Sequence, residues 1–148
     1  MKRILALSLF LAFLTAAQPC AAADWAVLGE TQWGMVHFDR ASVKRVGPLV
    51  SVSSRQMLRP EAAAAVAEAM PELSHVAYSV SHDVIDCGKG RYTLMRIVFY
   101  DREHRVLHDT ADDRGKYREI GPRPIPPDTP IGWLAETVCG PPDPGQTR

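Results

Sequence analysis

Five histidines, His37, His75, His82, His104 and His108, offer this chain its most versatile chemistry, because imidazole binds metals and moves protons near neutral pH. His104 and His108 are four residues apart, a ligand spacing on a helix, but the residues around them read as a turn and a strand, where two such rings do not converge. Asp109, next to His108, is expected to pair with it at the surface. Ser79, Ser81, His82 and Asp83 put a nucleophile, a base and an acid close together in sequence, the three roles a hydrolase needs. On an extended strand, however, Ser81 and His82 point to opposite faces. No GxSxG elbow and no glycine-rich phosphate loop occurs, and no calcium-loop pattern surrounds Asp112-Asp113. The reading is therefore no enzyme, no cofactor and no metal site. Asp39 and Ser42 are expected to organise a turn, and Asp86 to satisfy backbone groups beside Cys87.

The cysteines carry different information. Lys2 and Arg3 precede an apolar run from Ile4 to Ala17, broken by Pro19 and followed by Ala21-Ala22-Ala23. This is the charged, apolar and small-residue order of a secretory signal peptide, and the run is short for a membrane span of about 20 residues. Residues 1–23 are read as the signal, cut between Ala23 and Asp24. Cys20 raises the alternative of a lipoprotein signal, which Pro19 directly before it fits poorly, so a lipid anchor there is not expected. The chain is placed outside the cytoplasm, in the periplasm or at the cell surface. There an even number of cysteines reads as a disulfide, and Cys87 with Cys139 form the remaining pair. The alternative, a metal-binding or catalytic thiol, lacks a second cysteine pair and any CxxC.

Seventeen basic and seventeen acidic residues balance in the whole chain, and removing Lys2 and Arg3 leaves a slightly acidic domain. Nucleic acid, which calls for a concentrated basic face, is excluded as a partner. The cluster Arg114-Gly115-Lys116-Tyr117-Arg118 reads as a solvated loop.

The remaining residues divide into one domain, 24–140, and a tail, 141–148, expected to be disordered. Strands are expected at Trp25–Leu28, Met35–Phe38 and Leu49–Met57, with Asp39 capping a short helical turn and Gly47-Pro48 marking a reversal. Pro60 to Met70 is alanine-rich and reads as a short helix, with Ala62, Ala65, Val66 and Ala69 as the stripe on the sheet. His75 to Cys87 reads as a long strand with a bulge or twist near Asp83. Gly88-Lys89-Gly90 turns it into a strand from Tyr92 to Tyr100, central because apolar residues occupy both faces, with Leu94 and Val98 on one. Val106 to Asp109 makes a last strand, followed by a proline-rich loop. Thr129 and Pro130 start a C-terminal helix, whose apolar stripe is Ile131, Leu134, Ala135 and Val138. The expected class is α+β: a multi-stranded antiparallel sheet covered on one face by the C-terminal helix, with a Cys87–Cys139 disulfide tethering the two.

Several of these features recur together and in order: the export signal, Asp24-Trp25, Phe38-Asp39 with Ser42-Val43, Asp86-Cys87, Tyr92 five residues after that cysteine, Tyr100-Asp101, and a Pro-Thr helix start with a cysteine at the helix end. The set resembles the surface-adhesin protein E family of Gram-negative bacteria. The resemblance implies a sheet with a disulfide-tethered C-terminal helix, a surface or periplasmic location, binding to host extracellular matrix or serum proteins, and a capacity to form homodimers. Relatives often carry Trp where this chain has Tyr117. An alternative reading is a periplasmic structural protein whose partner is another envelope protein.

Overall fold

The computed structural model describes residues 22–113 and 120–140. The expected signal up to residue 21, with Cys20, the 114–118 cluster with Tyr117, and the 141–148 tail lie outside them.

Eight strands form one antiparallel sheet: β1 (Trp25–Thr31), β2 (Gly34–Asp39), β3 (Lys44–Val46), β4 (Leu49–Leu58), β5 (Tyr78–Asp86), β6 (Arg91–Tyr100), β7 (Val106–Asp109) and β8 (Ile120–Pro124). They are ordered β1-β2-β4-β5-β6-β7, with β3 on β4 and β8 on β6. Among the described residues two α-helices complete the fold, α1 (Pro60–Ala69) and α2 (Pro130–Cys139).

The chain builds its corner between β2 and β3 from local hydrogen bonds. The Asp39 carboxylate accepts from the Ala41 amide at 3.0 Å, capping a 3-10 turn at Arg40–Ser42. The Ser42 hydroxyl donates to the Asp39 carbonyl at 2.7 Å and accepts from the Ser53 amide at 2.9 Å, which ties the turn to β4.

Helix α2 covers one face of the sheet. Thr129 Oγ1 accepts from the Gly132 amide at 3.2 Å, filling one of the unpaired donors of the first turn. Leu134, Ala135 and Val138 are buried against Phe38, Val50, Val52 and Ile85. Val50 and Ile85 are cross-strand partners, and both are fully buried. Each such aliphatic side chain contributes about 2 kcal/mol by leaving water. Two further devices hold the helix. The Cys87–Cys139 disulfide pins its last residue, with Cα atoms 5.6 Å apart, and the Trp133 ring lies on Gly29 of β1, where a Cβ would come within 2.8 Å of the indole.

The structure departs from the sequence reading in several places. Strand β3 was not expected; its residues are all exposed, so no burial pattern marks it. Strand β5 starts at Tyr78 rather than His75, because Pro71–Leu73 forms a 3-10 turn that buries Leu73 ahead of it. The proline-rich loop contains β8, whose Pro122 and Pro124 are accommodated because, among the described residues, it pairs on one side alone, with β6. Gly121 there lets the backbone approach, as its missing Cβ would meet Thr93 at 2.8 Å. The β5–β6 register shifts at His82/Asp83: His82 faces Arg96 and Asp83 faces Leu94, leaving Met95 as the extra residue. Leu94 and Val98 thus lie on opposite faces. In α1, Ala62 is buried while Ala65 and Ala69 are exposed, and the helix packs mainly against the Pro71–Leu73 turn instead of the sheet.

Candidate functional site

Strand alternation and register divide the sheet residues between two faces. Ala26, Phe38, Val50, Val52 and Ile85 lie beneath α2. Their chain neighbours point the other way, and across the strands they form a row Val27–His37–Arg55–Val80–Val98. The next row holds Met35, Met57, Tyr78 and Tyr100. This second face carries Trp25, Tyr78 and Tyr100 together with Arg55 and His37.

At one end of it, the Arg55 guanidinium lies over the Trp25 ring, 4.5 Å from the centroid, within cation–π range. Arg55 Nε and His37 Nδ1 are buried without a hydrogen-bond partner. Burial, helped by the Arg55 charge, pushes the His37 pKa down. Further along, Tyr78 and Tyr100 stack at 4.8 Å, and the Tyr78 hydroxyl is 2.9 Å from His104 Nδ1. His104 takes a positive φ of 63° in a turn closed by the Asp101 carboxylate, which accepts from the amides of Glu103 and Arg105. Burial, with Tyr100 nearby, raises the Tyr78 pKa. Val27 is 65% exposed and Met57 37%, leaving apolar surface beside these groups.

The serine, histidine and aspartate of β5 do not form a triad. Ser81 Oγ donates to Asp83 Oδ2 at 2.8 Å and lies 2.8 Å from Ser54 Oγ, all on the α2 side. His82 is on the opposite face, where Ser53 Oγ lies 2.9 Å from its Nδ1. Ser53 and His82 border a depression of about 330 Å3 beside the 3-10 turn. Burial, then the Arg96 charge, lowers the His82 pKa. A hydroxyl against an imidazole is half of a nucleophilic device; the acid that would orient the ring, Asp83, is turned through the sheet. Burial pushes the Asp83 pKa up to about 6.

The remaining histidines are placed apart. His108 Nε2 lies 2.7 Å from Asp113 Oδ2 without a hydrogen bond to it, and the Asp109 carboxylate is taken by Arg96 instead of His108. That ion pair holds Asp109 down at about 2. Among the described residues no three His, Cys, Asp or Glu side chains gather as a metal site. Asp86 Oδ1 accepts from the Lys89 amide at 3.0 Å, ordering the hairpin after Cys87. No local signal in the sequence marks the partners of Arg55, Trp25 and Ser53, which are set by cross-strand register. Nor does one mark Arg45, which donates to the Val138 carbonyl at the end of α2, where the helix dipole favours a cation.

The surface-adhesin protein E family matches residues 25–140, from the first residue of β1 to the glycine that ends α2. The chain belongs to the surface-adhesin protein E family. Membership covers the sheet, both helices and the Cys87–Cys139 bond, and places the chain among surface adhesins. Two solved structures are similar to this adhesin-family chain. One is crystal form II of Haemophilus influenzae protein E, at 15% identity and a TM-score of 0.42, covering 70% of this chain and 79% of that one. The other is protein E from non-typeable Haemophilus influenzae, at 14% identity and a TM-score of 0.45, covering 82% and 80%. No curated protein sequence matches. Among the described residues, no helix is long and apolar enough to cross a membrane.

Proposed function

We propose that this chain is an exported, non-enzymatic adhesin that binds host extracellular matrix or serum proteins through the sheet face opposite α2. Family membership over residues 25–140 carries the reading. The face adds a physical reason: aromatic rings, an arginine and exposed Val27 and Met57 lie together, and aromatic residues, methionine and arginine are enriched at protein interfaces. Immobilised matrix and serum proteins titrated with the domain test it. Saturable binding to at least one is the expected result, and no saturable binding to any would refute it. Capture of a bacterial envelope protein instead would favour a periplasmic structural role.

Within the same proposal, residues 1–23 are the export signal, 24–140 the functional domain and 141–148 a tail beyond it. Asp24 supports a cut after Ala23. Its amide donates to Asp39 Oδ1 at 2.8 Å, and its carboxylate pairs with Arg40 at 2.9 Å. Cleavage there converts the amide into an ammonium already facing a carboxylate. Intact mass of the protein from its host, with and without reduction, checks both points. A chain beginning at Asp24 that gains two hydrogens on reduction is expected. A chain beginning at an acylated Cys20 would overturn the cleavage site.

A further inference from the structure

Among the described residues, four of the nine arginines are matched to acids, and Arg55 is one of the five that are not. Arg40 meets Asp24, Arg59 meets Glu30, Arg96 meets Asp109 and Arg105 meets Asp101. Arg55 meets none among the described residues. It is half-buried, directly across from His37 in the β2–β4 register, and braced against Trp25. Its Nε and the Nδ1 of His37 are desolvated without a partner. A donor removed from water and left unpaired costs stability, while a cation already fixed in place loses little freedom when an anion arrives. The cost and the readiness belong to the same residue.

We propose that Arg55, with His37 and Trp25, forms a receptor for a carboxylate side chain, glutamate or aspartate, presented by a protein partner. This rests on the adhesin reading and names the chemistry that face recognises. One fixed guanidinium beside an imidazole held neutral by burial and by that same guanidinium offers a single positive charge. That matches a carboxylate better than a phosphate dianion. Arg also pairs with carboxylates bidentately, and exposed Val27 and Met57 accept the apolar residues flanking an acid in a peptide.

The test is NMR titration of the disulfide-bonded domain with a deca-glutamate peptide. Deca-glutamine and inorganic phosphate at matched ionic strength are the controls, and wild type is compared with Arg55→Met and Arg55→Lys. Methionine keeps an apolar stem under Trp25 and removes the unpaired charge, so Arg55→Met is expected to remain folded with an unchanged or higher Tm. The expected result is saturable movement of the Trp25 indole and His37 ring resonances by deca-glutamate only. Affinity should fall at least tenfold in Arg55→Met and less in Arg55→Lys. Any of four results would overturn the site: no movement in wild type, equal affinity in Arg55→Met, an equal response to phosphate, or self-association that Arg55→Met abolishes, which would make a second copy the occupant. Host-protein binding separates this proposal from the one it rests on. If Arg55→Met still binds the host protein with unchanged affinity, the receptor fails and the adhesin reading stands. If deca-glutamate binds while no host protein does, the reverse holds.

Discussion

Replacing Asp83 by asparagine should change how the stability of this domain depends on pH. The Asp83 carboxylate is 5% exposed, held by the Ser81 hydroxyl, and paired with no lysine or arginine among the described residues. Burial raises its pKa from 3.8 to about 6, because a charged carboxylate is poorly solvated beneath α2. The folded state therefore binds the proton more tightly than the unfolded chain does. Well below pH 3.8 both states are protonated and the domain has its full stability. As pH rises from about 4 to 6, the unfolded chain releases its proton and the folded chain does not, so stability falls. Above pH 6 the loss is complete. Two pKa units correspond to about 3 kcal/mol, on the order of 10 °C in Tm for a domain of this size.

Denaturant unfolding of wild type and Asp83→Asn at pH 4 and pH 7.5 measures this. Asparagine keeps a carbonyl to accept from Ser81 and cannot ionise. The variant should gain about 2.5 kcal/mol on wild type between the two pH values, whatever its absolute stability, because part of the linkage is already lost at pH 4. His37 and His82 have lowered pKa values, and they act in the opposite sense: their contribution is present above about pH 6.5 and lost as pH falls. Both chains carry them, so they cancel in the difference. A difference constant to within about 1 kcal/mol across this range would refute the claim that Asp83 holds its proton in the fold.

Two structural predictions accompany it. Cys139→Ala opens a loop with a sequence separation of 52, and the chain-entropy relation puts the loss at about 4 kcal/mol; reductant should destabilise wild type similarly and leave the variant unchanged, as read by thermal unfolding. Gly29→Ala places a methyl within 2.8–2.9 Å of two Trp133 ring atoms; displacing the indole should cost about 1 kcal/mol and shift tryptophan fluorescence, whereas a gain in stability would show that the ring is not pressed on β1.

What the sequence determined by itself is the part of this protein governed by local rules. Thr129 and Pro130 fix the start of α2, Gly140 its end, and the 3-4 spacing from Ile131 to Val138 its buried side, since each signal acts within a turn or two of the chain. The Asp39 and Ser42 turn is local in the same way, and two cysteines in an exported chain restrict the covalent pairing. Alternation in β5 was enough to separate Ser81 from His82. Where the local signal is flat or absent, the tertiary structure decided. Exposed β3 has no apolar pattern, β8 is written in prolines, and α1 is alanine on every side, so its contacts alone choose which face is buried. The candidate site belongs wholly to this second group. Trp25, His37 and Arg55 come from three strands, and only the register of β1, β2 and β4 brings them together. A residue's own neighbours in the chain cannot report whether its charge will be paired. Arg55 reads like any other arginine until the sheet is assembled and no acid lies across from it.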